Sequence, residues 1–294
     1  MRYSPASAWA SKSVVLLFWM GGALTGWAAE GPAFTVTPST VTAGRTLLIE
    51  CQSKKSLAEA PLRVGETQTR FYKQAHRSWV ARVGIPATEP AGPRTAFFFP
   101  TADTGTLRTE IPFFVRDGSY PVSRISLKPE KDALFANGAV ERDGERLATV
   151  YTKPGDPKKR WRGPFLWPAV GIVSSEFGSR RAYGNGPPTG SHSGVDLANA
   201  TGTLVCAAAP GRVVFAEWVE SFGNVVMLDH GQGIYTYYLH MQAASVKERQ
   251  FVKRGQEIGR MGQEGIATGP HVHWSLVVAG VRVDPMEWSD KEIP

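Results

Sequence analysis

The chain has 294 residues, of which 42% are hydrophobic and 20% charged, a formal net charge of +7 and two cysteines. This length holds two ordinary domains, each with its own core. Cys51 and Cys206 do not form a pair at metal-ligand spacing, which excludes a cysteine-held metal centre, and they read as buried thiols rather than as a bridge.

The first 28 residues read as an export signal. Arg2 and Lys12 give a positive start, Val14 to Leu24 is apolar, and Gly26-Trp27-Ala28 supplies small residues before a cleavage point. An apolar run of about 11 residues is short of the roughly 20 that span a bilayer, so no stable membrane span is expected after cleavage. Losing Arg2 and Lys12 leaves a charge of +5. Basic residues cluster at Lys158-Lys159-Arg160-Trp161-Arg162 and at Arg180-Arg181. An exported protein meets cell-wall polymers and membrane surfaces first, so no nucleic-acid partner is expected, and a solvated surface is the competing reading.

Residues 29–125 carry short alternating runs separated by breakers. Thr46 to Cys51, Trp79 to Val83, Thr95 to Phe99 and Thr109 to Val115 read as strands, with Pro86, Pro90 and Gly92-Pro93 between them. This spacing predicts a small antiparallel sandwich of the Ig-like kind. It contains no cluster of catalytic residue types, and His76 lies in a polar stretch that reads as surface. Residues 126–163 read as a linker in which Glu130 to Val150 forms one or two short helices, interrupted at Asn137-Gly138 and Asp143-Gly144.

Residues 164–294 are strand and turn throughout. Leu204 to Ala207, Arg212 to Val219, Asn224 to His230, Ile234 to His240, Glu257 to Met261 and His271 to Val278 read as strands punctuated by glycine. The chain is therefore expected to be mainly β, with a compact antiparallel β domain at its C-terminal end.

The chemistry-bearing residues gather in that last region. His271 and His273 stand at i and i+2 on a strand, so both rings face one side with Cα atoms roughly 6.6 Å apart. His192 and Asp196 stand at i and i+4, about 13 Å apart on a regular strand, so both reach one ion only if the chain bends, and Gly194 is the residue best able to bend. Alternation puts Thr236, Tyr238 and His240 on one face of their strand. A catalytic zinc site takes three protein ligands and keeps a position for water. Spacing alone leaves open which of these candidates stays off the metal. His230, at a hairpin turn, reads as a hydrogen-bonded core histidine.

Several ordered motifs carry a family resemblance. They are Glu176-Phe177-Gly178-Ser179-Arg180-Arg181, His192-Ser193-Gly194-Val195-Asp196, Ala209-Pro210-Gly211, Asp229-His230-Gly231, Tyr238-Leu239-His240, Thr268-Gly269-Pro270-His271-Val272-His273-Trp274 and Val283-Asp284-Pro285. From about Phe165 to Trp288 the chain resembles the lysostaphin/LytM-type zinc metallopeptidases of family M23, and the sandwich before it resembles the non-catalytic domains attached to them. The resemblance implies one Zn2+ held by His192, Asp196 and His273. His240 and His271 then line its open side and handle protons, with Tyr183 as the candidate for steadying an oxyanion. It implies peptidoglycan stem peptides or cross-links as substrate. A ligand-deficient activator or wall-binding module, a peptidase acting on protein, and a carboxypeptidase are the competing readings. All five site positions are filled here, against the first of them.

Overall fold

The structure, a computed structural model, describes residues 32–101, 108–126, 134, 137–183 and 185–294, with the backbone alone at Tyr183. The export signal expected at 1–28 and most of 127–136 lie outside the described residues. The chain is mainly β. β1 (Ala33–Thr37), β3 (Thr46–Gln52), β7 (Ser78–Gly84) and β6 (Tyr72–Ala75) form one sheet in the order β1-β3-β7-β6. β2 (Thr40–Thr42), β9 (Thr109–Arg116), β8 (Gly92–Phe98), β4 (Pro61–Val64) and β5 (Thr67–Arg70) form a second, in that order. Alternation drives the two together: Leu47, Ile49 and Cys51 of β3 and Ile111, Phe113 and Val115 of β9 point into one shared core.

Two details differ from the pattern read in the sequence. β2 pairs with β9 in parallel, so the ladder is not wholly antiparallel. Gly92 and Pro93 lie inside β8, paired with Val115 and Phe114, rather than breaking it. Proline is tolerated there because β4 reaches β8 only at Ala96 to Phe98, leaving the Pro93 stretch without a second neighbour that needs its missing N–H.

The C-terminal sheet runs β11 (Ile172–Ser175), β14 (Val195–Ala198), β21 (His271–Val278), β18 (Ile234–Ala244), β17 (Gly223–Gly231), β16 (Gly211–Val219) and β19 (Phe251–Val252). β20 (Glu257–Met261) joins β18 to β15 (Leu204–Cys206), and β22 (Val281–Val283) hairpins onto β21. β10 (Val122–Ile125) pairs in parallel with β12 (Arg180–Tyr183), which pairs with β13 (Gly190–Ser191). The segment just after the sandwich is thus hydrogen-bonded into the C-terminal half.

This sheet is covered on both faces. Leu197, Leu228, Tyr238, Trp274 and Leu276 lie in one core, while Met227, Tyr237, Leu239 and Val277 lie in another on the opposite face. The second core is closed by helix α1 (Ala139–Tyr151), which buries Leu147 and Tyr151. Asn137 Oδ1 accepts from Ala139 N at 2.9 Å at the start of α1. The helix then runs through Asp143-Gly144 without the interruption read from the sequence. A helical glycine costs only about 1 kcal/mol, less than burying two large side chains returns. Asp143 Oδ2 also accepts from Ser221 N at 2.8 Å. Helix α2 (Pro285–Asp290) starts with Asp284 accepting from Met286 N and with Pro285 in its first turn.

The two halves are packed directly on each other. Thr46 N donates to Glu287 Oε2 at 2.9 Å, Trp288 Nε1 to Thr46 Oγ1 at 3.0 Å, and Asp284 N to Gly44 O at 2.8 Å. β7 approaches β21 and β22 so closely that a Cβ on Gly84 would lie 2.8 Å from Val281 Cβ and 2.9 Å from Val278 O. The basic run is folded into this framework: Trp161 is buried, Lys159 lies over its ring, and Arg160 pairs with Asp156. Cys51 and Cys206 are both free. No helix among the described residues is long and apolar enough to cross a membrane.

Candidate metal centre

Three strands bring the distant motifs together. β14 and β21 pair so that Asp196 faces His273, and on the other side of β21 His273 faces Leu239, the residue before His240. His192 arrives from the irregular turn between β13 and β14, where Gly194 makes the bend. A side chain is excluded at Gly194: its Cβ would stand 2.4 Å from Trp274 O and 2.7 Å from His273 Nε2. The bend reduces a strand-length separation to contact, with His192 Nε2 3.0 Å from Asp196 Oδ1.

His192, Asp196 and His273 are buried together with one potential ligand atom each inside a 4.8 Å group. Their hydrogen-bond partners assign the imidazole tautomers. His192 Nδ1 faces the Glu176 carbonyl at 2.9 Å, and a carbonyl only accepts, so Nδ1 carries the proton and Nε2 a lone pair. Ser275 Oγ donates to Ser193 O at 2.8 Å and therefore accepts from His273 Nε2 at 2.7 Å, which leaves the lone pair on His273 Nδ1.

The consequence is a triangle of acceptors. His192 Nε2 and His273 Nδ1 lie 2.9 Å apart, and Asp196 Oδ1 is 3.0 and 2.9 Å from them. Three lone-pair atoms at such distances, shielded from water, repel unless a cation or a shared proton lies among them. Two imidazole nitrogens and a carboxylate oxygen are a donor set that suits zinc. The triangle is slightly tighter than the roughly 3.3 Å edges of a tetrahedral shell with bonds near 2.0 Å.

Burial pushes the Asp196 carboxyl up, but hydrogen bonds and positive charge from His192 and His273, standing where a cation would, more than reverse that and hold it well below the usual carboxylate range. Its second oxygen accepts from Arg181 Nη2 at 3.2 Å. Burial takes His273 down to about 4, against the pull of Asp196, so it is a neutral ring at pH 7.

His240 and His271 flank the triangle, with ring centroids 4.8 Å apart. His240 Nδ1 donates to Glu264 O at 2.7 Å and His271 Nδ1 to Gly269 O at 2.9 Å, so each keeps an Nε2 lone pair. His271 Nε2 is 3.7 Å from Asp196 Oδ1. Burial, and after it the neighbouring His271 and His273 rings, hold His240 well below the ordinary imidazole range. Both rings line a cleft of about 350 Å³ with His192, Asp196 and His273.

The sequence pattern placed His240 with Thr236 and Tyr238, and there the structure differs. His240 has φ 65°, a left-handed conformation at a break in the register between β17 and β18. Thr236 and Tyr238 point into the core on the far face, while His240 shares the cleft with Tyr237 and Leu239. His230 is a core histidine, bonded to Pro210 O and Thr236 Oγ1 at 2.8 Å each, and burial lowers it to about 4. His76 is exposed and far from the site in the sandwich half. Tyr183 ends β12, and its side chain lies outside the described residues.

Sequence reasoning missed several supporting residues. Ser275 stands two residues after His273 on one strand face, a spacing that would have flagged it. Ser175 Oγ accepts from Arg181 Nη2 at 3.0 Å and lies 3.2 Å from His192 Nδ1. Arg181, whose charge fitted either a polyanion contact or a solvated surface, is engaged by Asp196. Tyr237 stacks on His273 with centroids 6.2 Å apart. Nothing local in the sequence marks these last contacts.

Comparison with known proteins now adds to the geometry. Residues 190–285 match peptidase family M23. The peptidoglycan DD-endopeptidase ShyA of Vibrio cholerae is 36% identical over 137 residues, covering 47% of this chain and 32% of that protein. The murein hydrolase activator NlpD of Salmonella dublin is 30% identical over 138 residues, covering 47% and 33%. The matched stretch thus spans about a third of these curated relatives. A crystal structure described as a candidate M23 peptidase from Pseudomonas aeruginosa covers 84% of this chain and 94% of its own, with 26% identity and a TM-score of 0.64.

Proposed function

We propose that the protein, whose residues 190–285 match peptidase family M23, is a zinc-dependent endopeptidase that cuts peptide cross-links of peptidoglycan. The buried triangle of His192 Nε2, His273 Nδ1 and Asp196 Oδ1 is the observation that carries this reading. These three residues would hold the zinc, with Arg181 and Ser275 orienting Asp196 and His273. Bound zinc supplies Lewis acidity and lowers the pKa of a water to about 7. His240 Nε2 or His271 Nε2 takes the proton of the attacking water, and the ring so protonated gives it to the departing amine. Until it does so, the protonated ring can also donate to the developing oxyanion, because the other ring keeps an Nε2 lone pair and has its Nδ1–H bonded to a backbone carbonyl. Burial keeps His240 neutral before the reaction, which suits an acceptor. Tyr183 is retained as a candidate oxyanion donor. Such a substrate puts the site of action in the cell envelope or outside the cell, consistent with the export signal read in the sequence.

A relative named as a murein hydrolase activator supports a second reading, a domain that binds the wall without cutting it. The presence of every ligand and both flanking histidines favours the hydrolase. Incubating the full chain with purified sacculi separates the two. Soluble peptides with loss of cross-links are expected by mass, abolished by chelator and restored by zinc. Intact sacculi with zinc present would support the activator, and release of single terminal residues would mark a carboxypeptidase.

Ser275→Ala removes the acceptor that fixes the His273 tautomer. Loss of such a partner weakens a metal site by about 10–100-fold, which a competing chromophoric chelator would measure. An unchanged zinc affinity would mean that the hydroxyl does not set the tautomer.

A further inference from the structure

The cleft holding the triangle does not end there. A second cleft, lined by Ser191, His192, Ser193 and Arg282, leads from the triangle to Pro86, Ala87 and Thr88 of the sandwich half. Arg282 also lines the first cleft, so its side chain borders both. It lies on β22 and is held by aromatic groups stacked outward from the metal site. Tyr237 stacks on His273, Tyr151 stacks on Tyr237 with centroids 5.9 Å apart, and Arg282 Cζ lies 5.5 Å from the Tyr151 ring. Arg282 Nη2 donates to Tyr151 Oη at 2.7 Å.

Among the described residues this cation is not matched by an anion. Its Nε is buried without a hydrogen-bond partner, and no carboxylate pairs with it among the described residues. The carboxylate of the same cleft, Asp196, is already shared between the triangle and Arg181. The Tyr237 side chain raises the Arg282 pKa, burial opposes it, and Tyr151 adds to the rise, so the group stays charged. A partly buried guanidinium without a counter-anion is costly, and its planar fork matches a carboxylate.

We propose that Arg282, backed by Tyr151, is a specificity-determining residue that reads a free carboxylate on the peptide lying across the metal site. This rests on the reading of the protein as a peptidoglycan peptidase and names what it recognises in that substrate. The class is a peptide bearing an unblocked carboxylate near the bond to be cut. Amidation of that group removes the negative charge and leaves Arg282 unpaired in the complex.

The test uses two probes, a cross-linked peptide pair with free carboxylates and the same compound fully amidated. Binding of each to the full chain is measured by calorimetry after chelation, so that no turnover intervenes. The free acid is expected to bind about 10- to 100-fold tighter, the range of one charge-assisted pair. Arg282→Gln should bring the two probes within about 2-fold, leaving affinity for the amidated probe as it was. Arg282→Lys, which keeps charge without the fork, should retain part of the preference and serves if the glutamine variant does not fold. Equal binding of the two probes by the unaltered protein, no binding of either, or an undiminished preference in both variants would overturn the proposal. Hydrolysis with zinc restored is scored separately. A carboxylate preference without cleavage would defeat the hydrolase reading and leave the Arg282 site standing. Cleavage of both probes at equal rates would defeat the Arg282 site alone.

Discussion

Alanine at Asp196 or at His273 is expected to remove both the bound zinc and the hydrolysis of sacculi. Each substitution deletes one corner of a triangle whose sides are 2.9 to 3.0 Å. The loss should exceed the roughly 10–100-fold that follows removal of a supporting partner. For Asp196 it is compounded: the anion that balances the ion goes, and Arg181 loses its partner at 3.2 Å. Asp196→Asn keeps the shape and removes the charge, so it separates electrostatics from packing. Metal content after dialysis, measured by elemental analysis, decides the matter. An Asp196→Ala or His273→Ala protein that retains one zinc per chain would sink the ligand assignment.

His240→Ala is expected to do the opposite to metal content. Zinc should stay at full stoichiometry while the rate falls by about 10²–10⁴, the usual contribution of a positioned acid or base. The reason is geometric. His240 Nδ1 is committed to Glu264 O, and its Nε2 borders the cleft from a neighbouring strand rather than forming a corner of the triangle. The left-handed backbone at φ 65° that aims this ring costs any residue but glycine on the order of 1 kcal/mol or more. A variant with normal turnover would mean that His271 alone carries the proton. The parallel His271→Ala protein tests the division of labour between the two rings.

Much of this architecture is legible in a single chain because β structure writes its packing into alternation. The strands from Leu204 to Val278 follow directly from runs of apolar residues bounded by glycine. His271 and His273 can be paired on one face by counting two residues. The need for a bend at Gly194 follows from strand rise alone, since an unbent chain would keep His192 and Asp196 out of common reach.

What stayed hidden depends on groups that are not neighbours in sequence. α1 runs through Gly144 because Leu147 and Tyr151 find Tyr237 and Phe215 across the sheet, a gain that local propensity cannot register. His240 departs from its strand's alternation because a register break turns it, and nothing in Tyr238-Leu239-His240 announces the left-handed residue. Arg181 could be read as a contact to a polyanion or as a solvated charge until the fold set it against Asp196.

The sequence by itself determined the mainly β character and the longer strands, the residue types that converge, and the likeness to a metallopeptidase family. Periodicity and residue chemistry are local, and both survive without coordinates. Only the tertiary structure decided which nitrogen of each site histidine carries a lone pair, that three acceptors face one another, and that Arg282 borders the cleft without a counter-anion among the described residues. Those facts are set by carbonyls, hydroxyls and rings brought in from elements up to 131 residues away, and no local pattern encodes such partners.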